Sequence, residues 1–444
     1  MSLALADLNS DLAVRLDAAR SCVRPVRSGA ISRVIGLRFD VEGLDLPIGA
    51  TVHLAEPGIV LSGEVVAVGE GAVTCMPFGE VKGLRVGARV EGTERPATIT
   101  VGPQLLGRVI DALGRPLDDG PPLNGLTRVE LDGEPPHPLR RARIEHKMSL
   151  GIRAWDTLIP AGRGQRVGIF AGSGVGKSTL LGMIARNTAA DVNVVALIGE
   201  RGREVREFIE ADLGPEGLAR SVIIVATSDA PALVRFRAAF VATRIAEYFR
   251  DQGSDVMLMM DSLTRFCMAQ REIGLSAGEP PTSRGYPPSV FSLLPRLLER
   301  AGAAEVGSIT GLYTVLVDGD DHNEPISDAA RSILDGHVVL SRKLAHANHY
   351  PAIDVLSSVS RVTSAVTSNE ERNLLYELRR LMAAEAEARD LIEIGAYVPG
   401  TNPTVDRAVK MRDSIRGFLT QRVDDRWDAE RSFGRLAEML AAGT

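Results

Sequence analysis

A short run of the chain, Ala171, Gly172, Ser173, Gly174, Val175, Gly176, Lys177, Ser178 and Thr179, carries the residue types that grip a phosphate group. A phosphate is anionic and rich in acceptor oxygens. A glycine-rich turn lets successive backbone N–H groups point inward at it, and a following helix N-terminus adds favourable partial charge. Lys177 has the reach for the β- and γ-phosphates of a nucleotide, and the Ser178 hydroxyl is a ligand for Mg²⁺. The usual pattern opens on glycine, and here that place is Ala171. Because it falls at a strand end, the exchange should cost little. The bland alternative is a merely flexible glycine turn.

Two acids complete a possible site. Val256-Met-Leu-Met-Met-Asp261 reads as a buried strand ending in a carboxylate, which would reach the Mg²⁺ shell near the phosphate loop. Taken alone, such an acid is as well explained as a helix cap. Gly199-Glu-Arg-Gly-Arg-Glu204 follows the apolar run Val192–Ile198, so Glu200 could polarise a water attacking the γ-phosphate. The competing reading is a charged loop making surface ion pairs.

Elements must hold these groups. Arg166–Phe170, Val192–Ile198, Ser221–Ala226, Val256–Asp261 and Ile309–Val317 are apolar runs of strand length separated by helical stretches. That alternation predicts a parallel α/β sheet with helices on both faces, over residues 96–367. Upstream, Ile35, Leu37, Phe39 and Val41 alternate with Gly36, Arg38 and Asp40, and further short apolar runs follow among glycines. This predicts a small β-barrel or sandwich over residues 25–95. Leu5, Leu8, Leu12 and Leu16 are spaced as one face of an amphipathic helix within residues 1–24, which either packs on its own domain or docks a partner. The Pro- and Arg-rich segment Gly133–Arg143 reads as a connector, and residues 368–444 as a helical C-terminal domain.

Composition narrows the function classes. The net charge is −6 and aromatics are 4% of the chain. Nucleic-acid binders carry basic faces, and single-strand binders add stacking aromatics, so the overall balance argues against nucleic acid. Cys22, Cys75 and Cys267 are scattered and odd in number, which excludes a disulfide framework or cysteine zinc site as the organising principle and points to a reducing cytoplasm. His346 and His349 lack partners at ligand spacing. No stretch approaches the ~20 apolar residues of a membrane span.

The run Gly168–Ser178, the Gly-Glu-Arg of Gly199–Arg201, Tyr350-Pro-Ala-Ile-Asp354 and Ser358-Val-Ser-Arg-Val362 together resemble the rotary ATPase superfamily, with its RecA-like P-loop core. More narrowly, Leu312–Asp320 followed by Asn323–Gly336 resembles the ATPases of type III export, which serve flagella and injectisomes, and the flagellum-specific group above all. The resemblance implies MgATP hydrolysis, with Glu200 as the catalytic carboxylate, Arg201 and Arg265 as phosphate-side arginines, and Glu204 and Asp261 with Ser178 around Mg²⁺. It implies Tyr350 stacking on adenine, and Tyr397 as a looser second contact.

By the same resemblance Arg361 is a finger that enters the neighbouring subunit's site. A chain holding both Glu200 and Arg361 can complete its own interfaces head to tail, which implies a homo-hexamer. An ion pair within its own domain is the plainer reading of Arg361. The resemblance also implies a regulator on the N-terminal helix, a stalk protein at the loop Gly274–Ser289, a membrane export gate, and exported proteins with their chaperones. The protein would work in the cytoplasm, at the membrane only through partners. Two other classes stay open: a ring-shaped RNA translocase and a non-enzymatic ring subunit.

Overall fold

The computed structural model describes residues 26–54, 61–94, 96–317 and 324–443. The expected N-terminal helix lies outside them, as does Cys22. The described residues fall into two compact units: those up to Ala97 with Ser276–Gly278, and those of Thr98–Leu275 with Glu279 onward.

In the first unit six strands close a barrel in the order Arg27–Ile35, Arg38–Glu42, Ala72–Pro77, Ser62–Val68, Thr51–Leu54 and Arg89–Gly92. Alternation explains the closure. Ile31, Phe39, Val41, Val52, Val65, Val73, Cys75 and Val90 point inward and fill the interior.

The second unit is built on a nine-stranded sheet. From one edge the strands run Ile353–Ser360, Gly336–Leu340, Arg166–Ala171, Ser308–Leu316, Asp255–Asp261, Val192–Ile198, Ser221–Ala226 and Arg108–Asp111, with Gly302–Ala303 appended to Ser308–Leu316. The central strands pair in parallel. Their residues are buried on both faces, which is why they read as continuous apolar runs. Ile353–Ser360 runs against its neighbour at the edge, as the appended Gly302–Ala303 does against Ser308–Leu316. The C-terminal end of Ile353–Ser360 therefore lies where the parallel strands begin, with Ser360 level with Gly336.

The C-terminal helices Asn369–Glu393, Pro403–Leu419 and Ala429–Ala442 do not form a core of their own. Leu375, Leu378, Leu381, Met411, Ile415, Phe418, Phe433 and Leu436 share one apolar cluster with Trp155, Leu181 and Ile184 of the nucleotide-binding fold. The first of these helices starts at a capping box: Ser368 Oγ accepts from Glu371 N at 3.2 Å, and Glu371 Oε2 accepts from Ser368 N at 2.9 Å. No described helix is long and apolar enough to cross a membrane.

Candidate nucleotide site

The strand Arg166–Ala171 delivers the chain to the phosphate loop, and Ala171 itself pairs with Leu316 and Leu340. It is therefore a strand residue with no need of a left-handed backbone, which is why alanine stands there without cost. The conformational demand falls on Gly174 and Gly176, at φ 77° and 85°. Gly176 then caps the helix Lys177–Asn187 with no side chain bonded to its first N–H groups, leaving those donors facing the loop.

These residues line a cavity of about 510 Å³. Its wall includes Ala171, Gly172, Ser173, Gly174, Gly176, Lys177, Ser178 and Thr179. Glu200 and Arg201 complete it from the loop after Val192–Ile198, Glu204 from the helix Gly202–Glu207 and Arg265 from the helix Leu263–Ala277. Val175 is buried beneath the loop instead. The volume lies in the range of small-molecule sites.

Lys177 is the hub. Its ammonium bonds Asp261 Oδ1 and lies 3.7 Å from Glu200 Oε1. Burial disfavours the charge on Lys177, yet the two carboxylates outweigh it and hold its pKa above the ordinary lysine value. Asp261 sits at the strand end with its side chain 3% exposed, and Thr314 Oγ1 donates to its Oδ1 at 2.7 Å. Glu200 is pushed up to about 7, first by burial and then by the charges of Asp261 and Glu204, with Lys177 pulling the other way. A carboxylate poised there can hold a water at neutral pH.

The loop at Gly199 explains how Arg265 reaches the wall. Gly199 has φ 73°, and a Cβ there would stand 2.9 Å from Arg265 Cγ. The glycine thus clears a path for the guanidinium. Arg201 is largely exposed and lies 3.4 Å from Glu204 Oε1. Tyr350 is brought to the loop: a Cβ on Gly176 would meet its ring at 3.2 Å.

Asp261 and Tyr350 touch wall residues, Lys177 and Gly176, without lining the cavity themselves, and two further expected residues lie away from it. Tyr397 donates its hydroxyl to Asp406 Oδ1 at 2.9 Å and to Asn402 O at 3.2 Å, tying the loop before Pro403–Leu419. Arg361 follows Ser360, which pairs with Gly336 at the start of its strand, whereas the phosphate loop follows strand ends. Arg361 is exposed, and its Nη2 donates to Arg331 O at 3.2 Å.

Other wall residues were not foreseen: Arg203, Glu207, Asp212 and Ser228. Asp212 lies on the wide helical turn Phe208–Leu213, which packs so closely on Lys177–Asn187 that a Cβ at Gly182 would fall 2.6 Å from Asp212 Cβ. Burial raises the pKa of Asp212, against a hydrogen bond from Thr179. A glycine inside an otherwise good helix was the only signal of that contact.

Against known proteins, residues 151–360 match the nucleotide-binding domain of the ATP synthase alpha/beta family. Residues 31–94 match that family's beta-barrel domain. Residues 367–438 match the T3SS EscN ATPase C-terminal domain. The flagellum-specific ATP synthase of Bacillus subtilis (strain 168) is 51% identical over 416 residues, 93% of this chain and 95% of that protein. The type 3 secretion system ATPase of Xanthomonas euvesicatoria is 52% identical over 400 residues, 90% of each. The assembled ATPase EscN from the enteropathogenic E. coli type III secretion system superimposes with a TM-score of 0.89 at 47% identity, covering 93% of this chain and all of that one. EscN has also been solved in complex with its central stalk EscO, at a TM-score of 0.86. Built on the same barrel, nucleotide-binding sheet and C-terminal helices, the chain belongs to the ATP synthase alpha/beta family, within its group of flagellar and type III secretion ATPases.

Proposed function

We propose that this chain hydrolyses MgATP in a homo-hexameric ring and that the hydrolysis energises flagellar type III protein export. The observation that carries the chemistry is the convergence of Glu200 and Asp261 on Lys177, which lines a glycine-rich cavity together with Glu200. The loop N–H groups and Lys177 bind the β- and γ-phosphates. Glu200, in its ionised form, accepts a hydrogen bond from the attacking water and orients it. Arg265 lies on the phosphate side, and Arg201 beside it. Tyr350 faces the base. The donors available for Mg²⁺ are oxygens, from Ser178, Glu204 and Asp261, which suits a hard cation. When bound, Mg²⁺ would neutralise charge on the phosphates.

Arg361 carries the ring. It lies away from its own cavity, and it is exposed beside an edge strand. Donated to the next subunit's cavity, it would stabilise charge on the transferring phosphoryl group and couple hydrolysis to movement between subunits. The assembled state of EscN supports the ring, and its complex with EscO supports a stalk partner here; the segment Gly274–Ser289 is our candidate for that contact.

An injectisome is the second reading. The type 3 secretion system ATPase of Xanthomonas euvesicatoria favours it, being as similar to this chain as the flagellar relatives are. Soft-agar swimming of a strain carrying Lys177→Ala, with hook and filament proteins assayed in the medium, separates the two. Lost swimming with lost export supports the flagellar assignment. Normal swimming moves the enzyme to another secretion machine.

A further inference from the structure

Gln165 is buried at 0% exposure just ahead of the strand that leads to the phosphate loop, and all its polar groups are engaged. Its Oε1 accepts from Gly162 N at 3.0 Å. Its Nε2 donates to Asp335 O at 3.0 Å and to Ser360 Oγ at 3.1 Å. Its backbone N–H bonds Gly162 O at 3.0 Å, and its carbonyl accepts from Gly311 N at 2.9 Å.

The two side-chain acceptors are the residues that hold Arg361. Asp335 O also accepts from Arg361 N at 3.0 Å, and Ser360 directly precedes Arg361. Ser360 Oγ in turn donates a hydrogen bond to Pro160 O at 2.8 Å. Gly336 makes the approach possible, since a Cβ there would stand 3.2 Å from Gln165 Nε2. Arg166, the next residue, forks onto Asp335 with Nε to Oδ2 at 3.0 Å and Nη2 to Oδ1 at 3.1 Å.

We propose that Gln165 is a positioning residue for Arg361, locking the Asp335 carbonyl and the Ser360 hydroxyl so that the guanidinium is presented at a fixed pose to a neighbouring subunit. The inference rests on Arg361 being donated across an interface. A buried amide with both donors used is rigid, and it gives the exposed Arg361 an immobile base. Gln165 and Arg166 also open the strand that ends at the phosphate loop. One strand therefore links a subunit's own site to the finger it gives away.

A displaced catalytic group costs about a hundred-fold in rate for roughly 1 Å. Gln165→Met keeps the length and removes the amide. Turnover should fall about ten- to a hundred-fold, while a fluorescent ATP analogue binds within about two-fold of the parent. The decisive readout is mixing. Rings of Gln165→Met with Lys177→Ala should recover turnover, because the Lys177→Ala subunit supplies a well-held finger to the intact site. Mixing Gln165→Met with Arg361→Ala should recover none. Ser360→Ala removes one of the two acceptors and should show the same pattern in a milder form, should Gln165→Met not fold. Full turnover in both variants, or a loss that Lys177→Ala subunits do not restore, overturns the proposal. The control is Arg361→Ala with Lys177→Ala. If that pair fails to complement, the donated finger itself is wrong and the role of Gln165 falls with it. If it complements and the Gln165 mixture does not, only the positioning role is wrong.

Discussion

Lys177 and Arg361 stand toward opposite ends of the same sheet. Ala171, which leads into the loop bearing Lys177, is level with Leu340, whereas Ser360, which precedes Arg361, is level with Gly336. Four residues of strand separate the two levels, roughly 13 Å at the usual rise. A finger so placed serves another subunit's cavity or none.

Turnover should therefore depend on assembly. Specific activity measured against protein concentration should rise and then level off, and Arg361→Ala should lower the plateau by about 10³-fold or more while sparing nucleotide binding. An Arg361→Ala protein that loses binding and turnover together would mark a local structural role instead.

Glu200 sets a pH dependence. Its pKa is raised from the carboxylate range to about 7, so the ionised form that can orient water accumulates as pH rises through that value. The kcat/KM for ATP, which reports the free enzyme, should climb across neutral pH and level off above it. Glu200→Gln should bind nucleotide and show a low, flat profile. The same shift has a stability consequence: the unfolded chain loses this proton at lower pH than the folded one, so the contribution of Glu200 is full below about 4.5 and lost as pH rises through about 7.

Gly199→Ala should damage the site without touching a catalytic group. The residue would be strained at φ 73° and its Cβ would crowd Arg265. A strain of about 1–3 kcal/mol is expected, relieved by displacing Arg265 from the cavity wall, and ATP affinity should fall in a direct titration. Unchanged affinity would show that Arg265 does not face the phosphates.

A buried ion pair braces the fold away from the cavity. Arg300 and Glu247, 2% and 1% exposed, form two hydrogen bonds of 2.7 Å, and Arg300 Nη1 also donates to Leu131 O. Glu247→Ala strands a buried guanidinium and should cost about 3–5 kcal/mol in denaturant unfolding. A small shift would mean that water reaches Arg300 readily.

The site was legible in the sequence where chemistry restricts residue type. Only glycines, lysine and serine in that order build a phosphate loop, and an acid closing an apolar strand is conspicuous at Asp261. Contacts between distant segments were not legible. Thr314 is one more residue in an apolar run until the pairing of Asp255–Asp261 with Ser308–Leu316 sets it against Asp261. Arg108–Asp111 lies within the expected α/β segment but is too short to stand out as a strand, and its pairing with Ser221–Ala226 is what assigns it to the sheet. The C-terminal helices were legible as helices, but no spacing could say that they cover Trp155 and Leu181.

The most direct measurement is ATP hydrolysis by a mixture of Lys177→Ala and Arg361→Ala proteins. Each alone should be nearly inactive. The mixture should hydrolyse ATP, because intact cavities on Arg361→Ala subunits receive fingers from Lys177→Ala subunits. A mixture as inactive as its components, or an Arg361→Ala protein with full activity, would contradict a site shared between subunits.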